Sequence, residues 1–166
     1  MTIRSFVYLL FLPTLAIWIV ALVAACDASP EGARQQKLNA EEQTFVFHTP
    51  AARTYDMTRE LLGEKGFTLP PGPPVMDRDI ATDWVPGGLG GKRFLVRFIR
   101  VEPSSYLVHL VSQSRDQNDK IYGRLRWTDL EWELIQRAEP ARALGIAKAA
   151  NHRADQVHQR NMRRSR

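Results

Sequence analysis

Hydrophobic and polar positions divide this chain into four stretches with different patterns. Residues 6–25 are apolar and uncharged, 26–42 are polar, 43–150 carry strand-like and helix-like patterns, and 151–166 are polar and basic. Arg4 precedes the apolar run, and small residues end it. A basic residue, an apolar run and small residues, in this order, are typical of a signal peptide. We therefore predict an N-terminal signal or anchor segment over residues 1–25.

The polar residues 26–42 include Pro30 and Gly32 and have no apolar period, so we expect a flexible tether there. The folded domain should occupy residues 43–150. Within it, alternating apolar and polar side chains predict a small antiparallel sheet of about four strands. The strand-like runs are 44–48, 80–85, 93–101 and 106–112, and residues 121–127 are ambiguous. Phe94, Val96 and Phe98 share one side of the run 93–101, and the run 106–112 should return as its antiparallel hairpin partner.

Two other stretches have the spacing of helices. Apolar or small residues recur on one face of 50–65, and Gly66 follows as a C-cap. The second pattern covers 129–150, with Thr128 and Glu131 spaced as a capping box and Pro140 where the helix should kink or restart. A sheet with one apolar face needs helices to cover it. The predicted fold class is therefore α+β, with a small curved antiparallel sheet covered by two helices.

Most of the net charge of +5 lies at the end of the chain. Residues 26–150 contain equal numbers of basic and acidic side chains, whereas 151–166 contain five arginines and one aspartate. A nucleic-acid-binding domain carries a basic stripe on its fold, so we expect no nucleic-acid partner. We predict a disordered tail that either aids solubility or contacts anionic lipid headgroups through Arg160, Arg163, Arg164 and Arg166.

The only cysteine of the chain, Cys26, follows Val23, Ala24 and Ala25. An aliphatic residue, two small residues and a cysteine after an apolar run match the processing box of a bacterial lipoprotein. In that route the thiol receives a diacylglyceryl group, palmitate-type acyl chains anchor the protein, and the signal peptide is cut after Ala25. The alternatives are an uncleaved helix, since about 20 apolar residues span a bilayer, and a plain secretory signal. All three export residues 27–166.

Motifs of exported hydrolases are missing from the sequence, which has no Gly-x-Ser-x-Gly elbow and no His-Glu-x-x-His pair. The glycines at 87–91 precede a strand pattern instead of a helix, so we expect no phosphate loop. His48 and His109 can meet across strands, although a structural role for each imidazole is the favoured interpretation. A catalytic role would require one of them beside an acidic partner in a cleft. We expect no enzyme.

Asp77, Asp79 and Asp83 form the densest carboxylate group. The glycine and the final glutamate of a calcium loop are missing, so these residues are interpreted as turn and strand-edge aspartates. We predict no metal and no cofactor other than the lipid on Cys26.

The tryptophans Trp84, Trp127 and Trp132 have two interpretations. A buried tryptophan commonly anchors a small core, which is the favoured one. The other is an aromatic groove for a peptide, lipid or glycan. A groove of at least about 300 Å³ lined by Trp and Phe would favour ligand binding, and a filled core would favour a scaffold.

The order of elements and several short motifs resemble one family of small lipoproteins. The motifs are Thr82-Asp83-Trp84, the basic strand at 92–97, Tyr106-Leu107-Val108 and Leu130-Glu131-Trp132. Over about residues 43–150 the chain resembles the domains of lipoprotein component C of the β-barrel assembly machinery. It has one such domain instead of two and a proline-rich insert at 70–74. The resemblance implies a helix packed on a curved antiparallel sheet, a scaffold or accessory role and no catalytic residues.

These observations lead to one expected function and one alternative. The expected function is a non-enzymatic, lipid-anchored scaffold or accessory subunit in cell-envelope or outer-membrane assembly. Its domain would face the periplasm, and its partners would be the membrane and an envelope protein. The alternative is a periplasm-facing module that binds a lipid or a small hydrophobic ligand. Asp27 after Cys26 resembles an inner-membrane retention signal of some enteric bacteria, so the choice between inner and outer membrane stays open.

Overall fold

The computed structural model describes residues 29–87 and 90–165. Its elements, in chain order, are α1 (Pro30–Gln43), α2 (Ala51–Glu64), β1 (Asp79–Ala81), β2 (Val85–Gly87), β3 (Gly90–Glu102), β4 (Ser105–Arg115), β5 (Ile121–Arg126), α3 (Thr128–Ala138) and α4 (Pro140–Arg164). The α+β class is as predicted. The chain divides into two compact units, Asn39–Ile146 and a second that contains 29–38 and 147–165. Ala25 and Cys26 lie outside the described residues.

One antiparallel sheet of five strands organises the unit Asn39–Ile146. β3 is its centre, because it pairs with β4 on one side and with both β1 and β2 on the other. β5 pairs with β4. The predicted hairpin of β3 and β4 is confirmed, with Phe98 opposite Val108.

The core lies between one face of this sheet and helices α2 and α3. Phe94, Val96 and Phe98 of β3 are all buried, as the alternation predicted. The ring centre of Tyr55 in α2 lies 5.9 Å from that of Phe98. Each such buried apolar side chain contributes about 1.5–3 kcal/mol. The helices add buried side chains from the faces that the spacing predicted, namely Leu61, Leu62, Leu130, Leu134 and Ile135.

Two of the predicted strands form only in part. Residues 44–48 keep the alternation, with Phe45 and Phe47 buried, but the segment makes a single bridge between Phe47 and Tyr106. Residues 80–85 split into the ends of β1 and β2. Between them Thr82 Oγ1 accepts a hydrogen bond from the Phe94 backbone N–H at 2.9 Å. A side-chain oxygen thus takes the place of a backbone acceptor, and the ladder breaks there.

The capping box predicted at the start of α3 is wrong. Trp127 occupies the N-cap position, and no side chain caps the helix. Glu131 instead accepts a hydrogen bond from the Leu110 backbone N–H of β4 at 2.7 Å and pairs with Arg126 at 2.6 Å. The carboxylate is buried, so tertiary partners outweigh the local cap. The restart predicted at Pro140 is confirmed, because α3 ends at Ala138 and α4 begins at Pro140.

The flexible tether predicted for 26–42 is wrong from residue 30 onward, because α1 begins there. Ser29 Oγ accepts a hydrogen bond from the Gly32 backbone N–H at 2.9 Å, which satisfies one free donor at the helix start. Ala33 and Leu38 are buried. With so few apolar positions in α1, the sequence contains almost no helical period to detect.

The disordered tail predicted for 151–166 is also wrong as far as Arg164, where α4 ends. Ala150 is buried, and Ala154 and Val157 are half-buried, which are positions on one helix face. In the same unit, Arg34 Nε donates a hydrogen bond to Asn151 Oδ1 at 2.9 Å. Small alanines bury a helix face while giving only a weak hydrophobic pattern, which explains the error.

Candidate functional site

The edge strand β5 is the most distinctive surface of the unit Asn39–Ile146. It is the last strand in the sheet order and pairs with β4 alone. Ile121, Tyr122 and Leu125 are 49%, 55% and 66% exposed. An edge strand presents unpaired backbone N–H and C=O groups, and neighbouring exposed apolar side chains mark an interaction surface. We call Ile121–Arg126 the β5 edge.

A bulge at Gly123 shapes the β5 edge. Tyr122 pairs with Ser114 and Arg124 pairs with Gln113, so Gly123 is left without a partner on β4. Its φ of +68° is one that glycine adopts without strain. Bulges bend an edge and limit indiscriminate strand pairing. A partner strand therefore has to follow the bend, which makes pairing selective.

The charged side chains of the β5 edge are both arginines. Arg126 pairs with Glu131 at 2.6 Å. Arg124 is exposed, and its side chain makes no ion pair or hydrogen bond with another described residue. The edge is thus apolar and basic. Residues 121–127 were ambiguous in the sequence because the bulge glycine interrupts the alternation of apolar and polar residues. Only three apolar residues, Ile121, Tyr122 and Leu125, then remain to indicate a strand.

The three tryptophans lie in different surroundings and do not form the aromatic groove considered above. The Trp127 ring packs edge-on against Phe94, with ring centres 5.4 Å apart, and its Nε1 donates a hydrogen bond to Ser112 Oγ at 2.9 Å. Trp132 is half-buried against the core. Trp84 lies under the guanidinium groups of Arg93 and Arg115, at 4.5 and 4.6 Å.

The histidines His48 and His109 do not meet. His48 lines a cavity near Ser105, whereas His109 is on β4 opposite Arg97 and lines a different cavity. Burial and the nearby Arg126 and Arg97 lower the pKa of His109. The charges that lower it are those of two arginines, and its Nε2 has no carboxylate partner among the described residues, unlike the imidazole of a catalytic His–carboxylate pair.

The aspartates occupy turn and edge positions, as predicted. Asp77 has a φ of 61°, and its Oδ1 accepts a hydrogen bond from the Arg100 backbone N–H at 3.1 Å. Asp79 Oδ1 pairs with Arg97 Nε at 2.7 Å. The backbone N–H of Asp83 donates to Thr68 O. Among residues 29–87 and 90–165, no group of three or more His, Cys, Asp and Glu side chains is placed to hold a metal ion.

Two buried carboxylates, Glu42 and Glu131, lie near Arg126. Burial and then the charge of Glu131 raise the pKa of Glu42 to about 8, and its Oε1 has no hydrogen-bond partner. Burial also raises the pKa of Glu131, against hydrogen bonds from Arg126 and the Leu110 backbone N–H. The sequence indicated Glu131 only as a helix cap and did not single out Glu42, because glutamates on helices are ordinarily exposed.

A third carboxylate, Glu139, joins the α3–α4 junction to the segment before α2. Burial pushes the pKa of Glu139 up, but hydrogen bonds from the backbone N–H groups of His48 and Thr49 and from Arg142 outweigh it and leave the pKa below its usual range. The bond from the His48 N–H is 2.6 Å long. These contacts are structural and leave no free carboxylate oxygen facing a cleft.

The basic residues predicted to contact lipid lie at the end of α4. Arg160, Arg163 and Arg164 are exposed, and Arg166 lies outside the described residues. Within the ranges 29–87 and 90–165, no helix has both the length and the apolar character needed to cross a bilayer.

Comparison of the chain with protein-family models, curated proteins and solved structures gives no match. The resemblance to component C of the β-barrel assembly machinery therefore stays a prediction from sequence motifs. The function has to be argued from the lipoprotein motif and from the geometry of the described surfaces.

Proposed function

We propose that this protein is a non-enzymatic, lipid-anchored subunit of the bacterial cell envelope that binds a partner protein by strand addition to the β5 edge. The anchor would be the lipid on Cys26, inferred from the residues 23–26. One observation supports the binding mode above all: an unpaired sheet edge that exposes Ile121, Tyr122 and Leu125 beside a filled core.

The partner would supply an extended segment with alternating apolar and acidic residues. Strand addition obtains affinity from main-chain hydrogen bonds and specificity from alternate side chains. Apolar side chains of the segment would cover Leu125 and Tyr122, which lie opposite Ser112 and Ser114 and so share one face of the sheet. Its acidic side chains would face Arg124, which has no carboxylate partner among the described residues. A basic segment would be repelled, because the β5 edge carries no acidic side chain.

The filled core supports a scaffold over a ligand-binding module. The face of β3 that carries Phe94, Val96 and Phe98 is completely covered, and these side chains are at most 1% exposed. A hydrophobic ligand in the space between sheet and helices would have to displace them, at a cost of several kcal/mol. This supports the edge of the sheet as the proposed binding surface.

A lipid anchor would strengthen binding at the β5 edge. Tethering turns a second contact into an intramolecular event with a high effective concentration, so a modest edge interaction suffices in the membrane plane. This fits an accessory role in envelope or outer-membrane assembly, as the sequence resemblance implies. The role holds for either membrane, since every route considered exports residues 27–166.

Photo-crosslinking in the native host tests the proposal. In one variant of the full chain a photoreactive phenylalanine replaces Tyr122. In a second variant of the same chain it replaces Gln136, an exposed position on α3. We expect a specific adduct with one envelope protein from position 122 only. The adduct should be lost in Leu125→Glu, which places an acid on the edge at a site exposed enough to leave the fold intact.

The crosslinked partner segment decides the binding mode. Its peptide should be extended, with apolar and acidic residues in alternation. Added to the purified full-length protein, it should slow amide hydrogen exchange within Ile121–Arg126. Equal adducts from positions 122 and 136, an adduct that survives Leu125→Glu, or protection elsewhere would each contradict strand addition at β5.

A further inference from the structure

The face of the sheet opposite the core carries a cavity of about 310 Å³. Its lining comes from β1, β3, β4 and β5, so the sheet itself fixes the positions of the lining backbones. The lining residues are Asp79, Leu95, Arg97, His109, Val111, Arg124 and Arg126. We call this the outer-face cavity.

Three guanidinium groups line the outer-face cavity against a single lining carboxylate. Arg97 is paired with that carboxylate, on Asp79, at 2.7 Å. Arg126 is paired at 2.6 Å with Glu131, which is not part of the lining. The guanidinium group of Arg124 has no partner among the described residues. The guanidinium group of Arg124 is therefore available to a ligand, whereas those of Arg97 and Arg126 are positioned by ion pairs with carboxylates of neighbouring elements.

His109 adds an unsatisfied group to the same cavity. Its Nε2 atom is buried and has no hydrogen-bond partner. A buried polar atom without a partner costs about 1–3 kcal/mol, so native structures rarely leave one without reason. The neighbouring strand places Arg97 directly opposite, and therefore no acidic side chain of β3 can satisfy this nitrogen.

We infer that the outer-face cavity binds a phosphate-type anion, with Arg124 as its main contact and the His109 ring beside it. Guanidinium groups bind phosphate oxygens through paired, charge-assisted hydrogen bonds. The His109 ring belongs to the same lining, so its protonation would respond to the charge of the anion. Leu95, which is buried, and Val111 give the cavity an apolar floor next to the cations. That combination suits a free phosphate or the phosphate of a lipid headgroup.

The anion would also change the protonation of His109. The charged groups around the ring are Arg97 on β3, Arg124 and Arg126 on β5 and Asp79 on β1, with Glu131 of α3 behind Arg126. Burial and then the charges of Arg126 and Arg97 keep the pKa of His109 below its usual range. A bound anion offsets the cations, so binding should take up a proton and raise that pKa.

The test is a histidine NMR titration of the full chain in neutral detergent, with inorganic phosphate as the probe and chloride at equal ionic strength as the control. Of the four imidazoles, His48, His109, His152 and His158, the His109 signal is the one that is missing from the spectrum of His109→Gln. We expect phosphate to raise the pKa of His109 and to leave the signals of the other three where chloride leaves them.

Arg124→Gln should weaken phosphate binding by about tenfold or more, since a hydrogen bond to a charged group is worth about 1.5–3 kcal/mol. The matched control is Arg53→Gln, which removes an exposed arginine on α2, outside the cavity lining. Arg124 is exposed as well, so neither change should unfold the protein.

Two probes distinguish the source of the phosphate. Monomeric short-chain phosphatidylglycerol that acts at lower concentration than inorganic phosphate would identify a lipid headgroup, with its chains on Leu95 and Val111. A change of the His109 signal with inorganic phosphate but not with the lipid would identify free phosphate as the ligand. If neither probe moves the His109 signal more than chloride does, or if Arg53→Gln weakens binding as much as Arg124→Gln, the site does not exist. A negative result here leaves strand addition at β5 unaffected, because that is measured by crosslinking.

Discussion

Single residues in this protein take roles that local sequence does not reveal. Glu131 has the spacing of a helix cap, yet it satisfies a strand N–H and an arginine from β5. Glu42 sits in a polar segment, yet it is buried with an unpartnered oxygen. For Glu131 the main-chain partner, Leu110, is distant in sequence, and low polarity around the carboxylate makes that hydrogen bond worth more than a solvated local contact.

Glu42 should make stability depend on pH. Its pKa is raised to about 8 in the folded protein, against an ordinary value of 4.5. Below pH 4.5 both states hold the proton and the full stability is present. Between pH 4.5 and about 8 the unfolded state releases the proton while the folded state keeps it, so stability falls across this window and the loss is complete above about pH 8. Urea unfolding at about pH 5 and about pH 8 measures the loss.

The matched variant is Glu42→Gln, which keeps the shape and removes the titration. The free energy of unfolding of this variant, relative to that of the parent protein, should rise by on the order of 2 kcal/mol from the lower to the higher pH. Other carboxylates titrate equally in both proteins, so their effects cancel in the difference. Identical pH profiles would mean that Glu42 is ionised in the folded protein throughout.

At the scale of elements, alternation predicted the long strands well and the short ones poorly. β3 and β4 have enough alternating residues for the pattern to appear. β2 and β5 are short and contain Gly87 or the bulge glycine Gly123, so their patterns are interrupted. Their strand conformation depends on pairing with β3 and β4, which a single segment does not encode.

Gly90 at the start of β3 should be intolerant of any side chain. A Cβ atom there would lie 1.9 Å from the backbone oxygen of Arg115. Backbone atoms on paired strands cannot move apart cheaply, so we expect Gly90→Ala to lose about 2 kcal/mol or more of unfolding free energy. Thermal and urea unfolding of the full chain measure this loss.

Gly63 in α2 is the control for this substitution. A Cβ atom there meets nothing within 4 Å, and the residue is helical. Gly63→Ala should therefore be neutral or gain up to about 1 kcal/mol, because alanine loses less backbone entropy in a helix. Equal losses in both variants would rule out the close approach of Gly90 and Arg115 as the cause.

At the scale of the whole molecule, the proposal joins two parts of the chain with different kinds of support. The membrane anchor rests on residues 1–26, which the sequence alone indicates. The binding surface rests on the sheet order, which places β5 at an edge. Neither part depends on the other, so each has its own experiment.

The anchor is tested by the intact mass of the protein extracted from membranes of its native host. We expect the mass of residues 26–166 plus a diacylglyceryl group, with or without an amide-linked acyl chain. Cys26→Ser should abolish the lipid mass and release the protein from membranes. The mass of residues 1–166 would mean an uncleaved helix, and the mass of the cut chain without lipid would mean a free exported protein.

The α+β class, the β3–β4 hairpin and the buried faces of α2 and α3 follow from the sequence alone, because those elements contain enough periodic apolar residues to predict their conformation. Only the tertiary structure decided the edge position of β5, the partners of Glu131, the burial of Glu42 and the convergence of Arg124 and His109 on one cavity. These features are contacts between residues far apart in the chain. Their energy exists only once the sheet brings those residues together, so no local pattern records them.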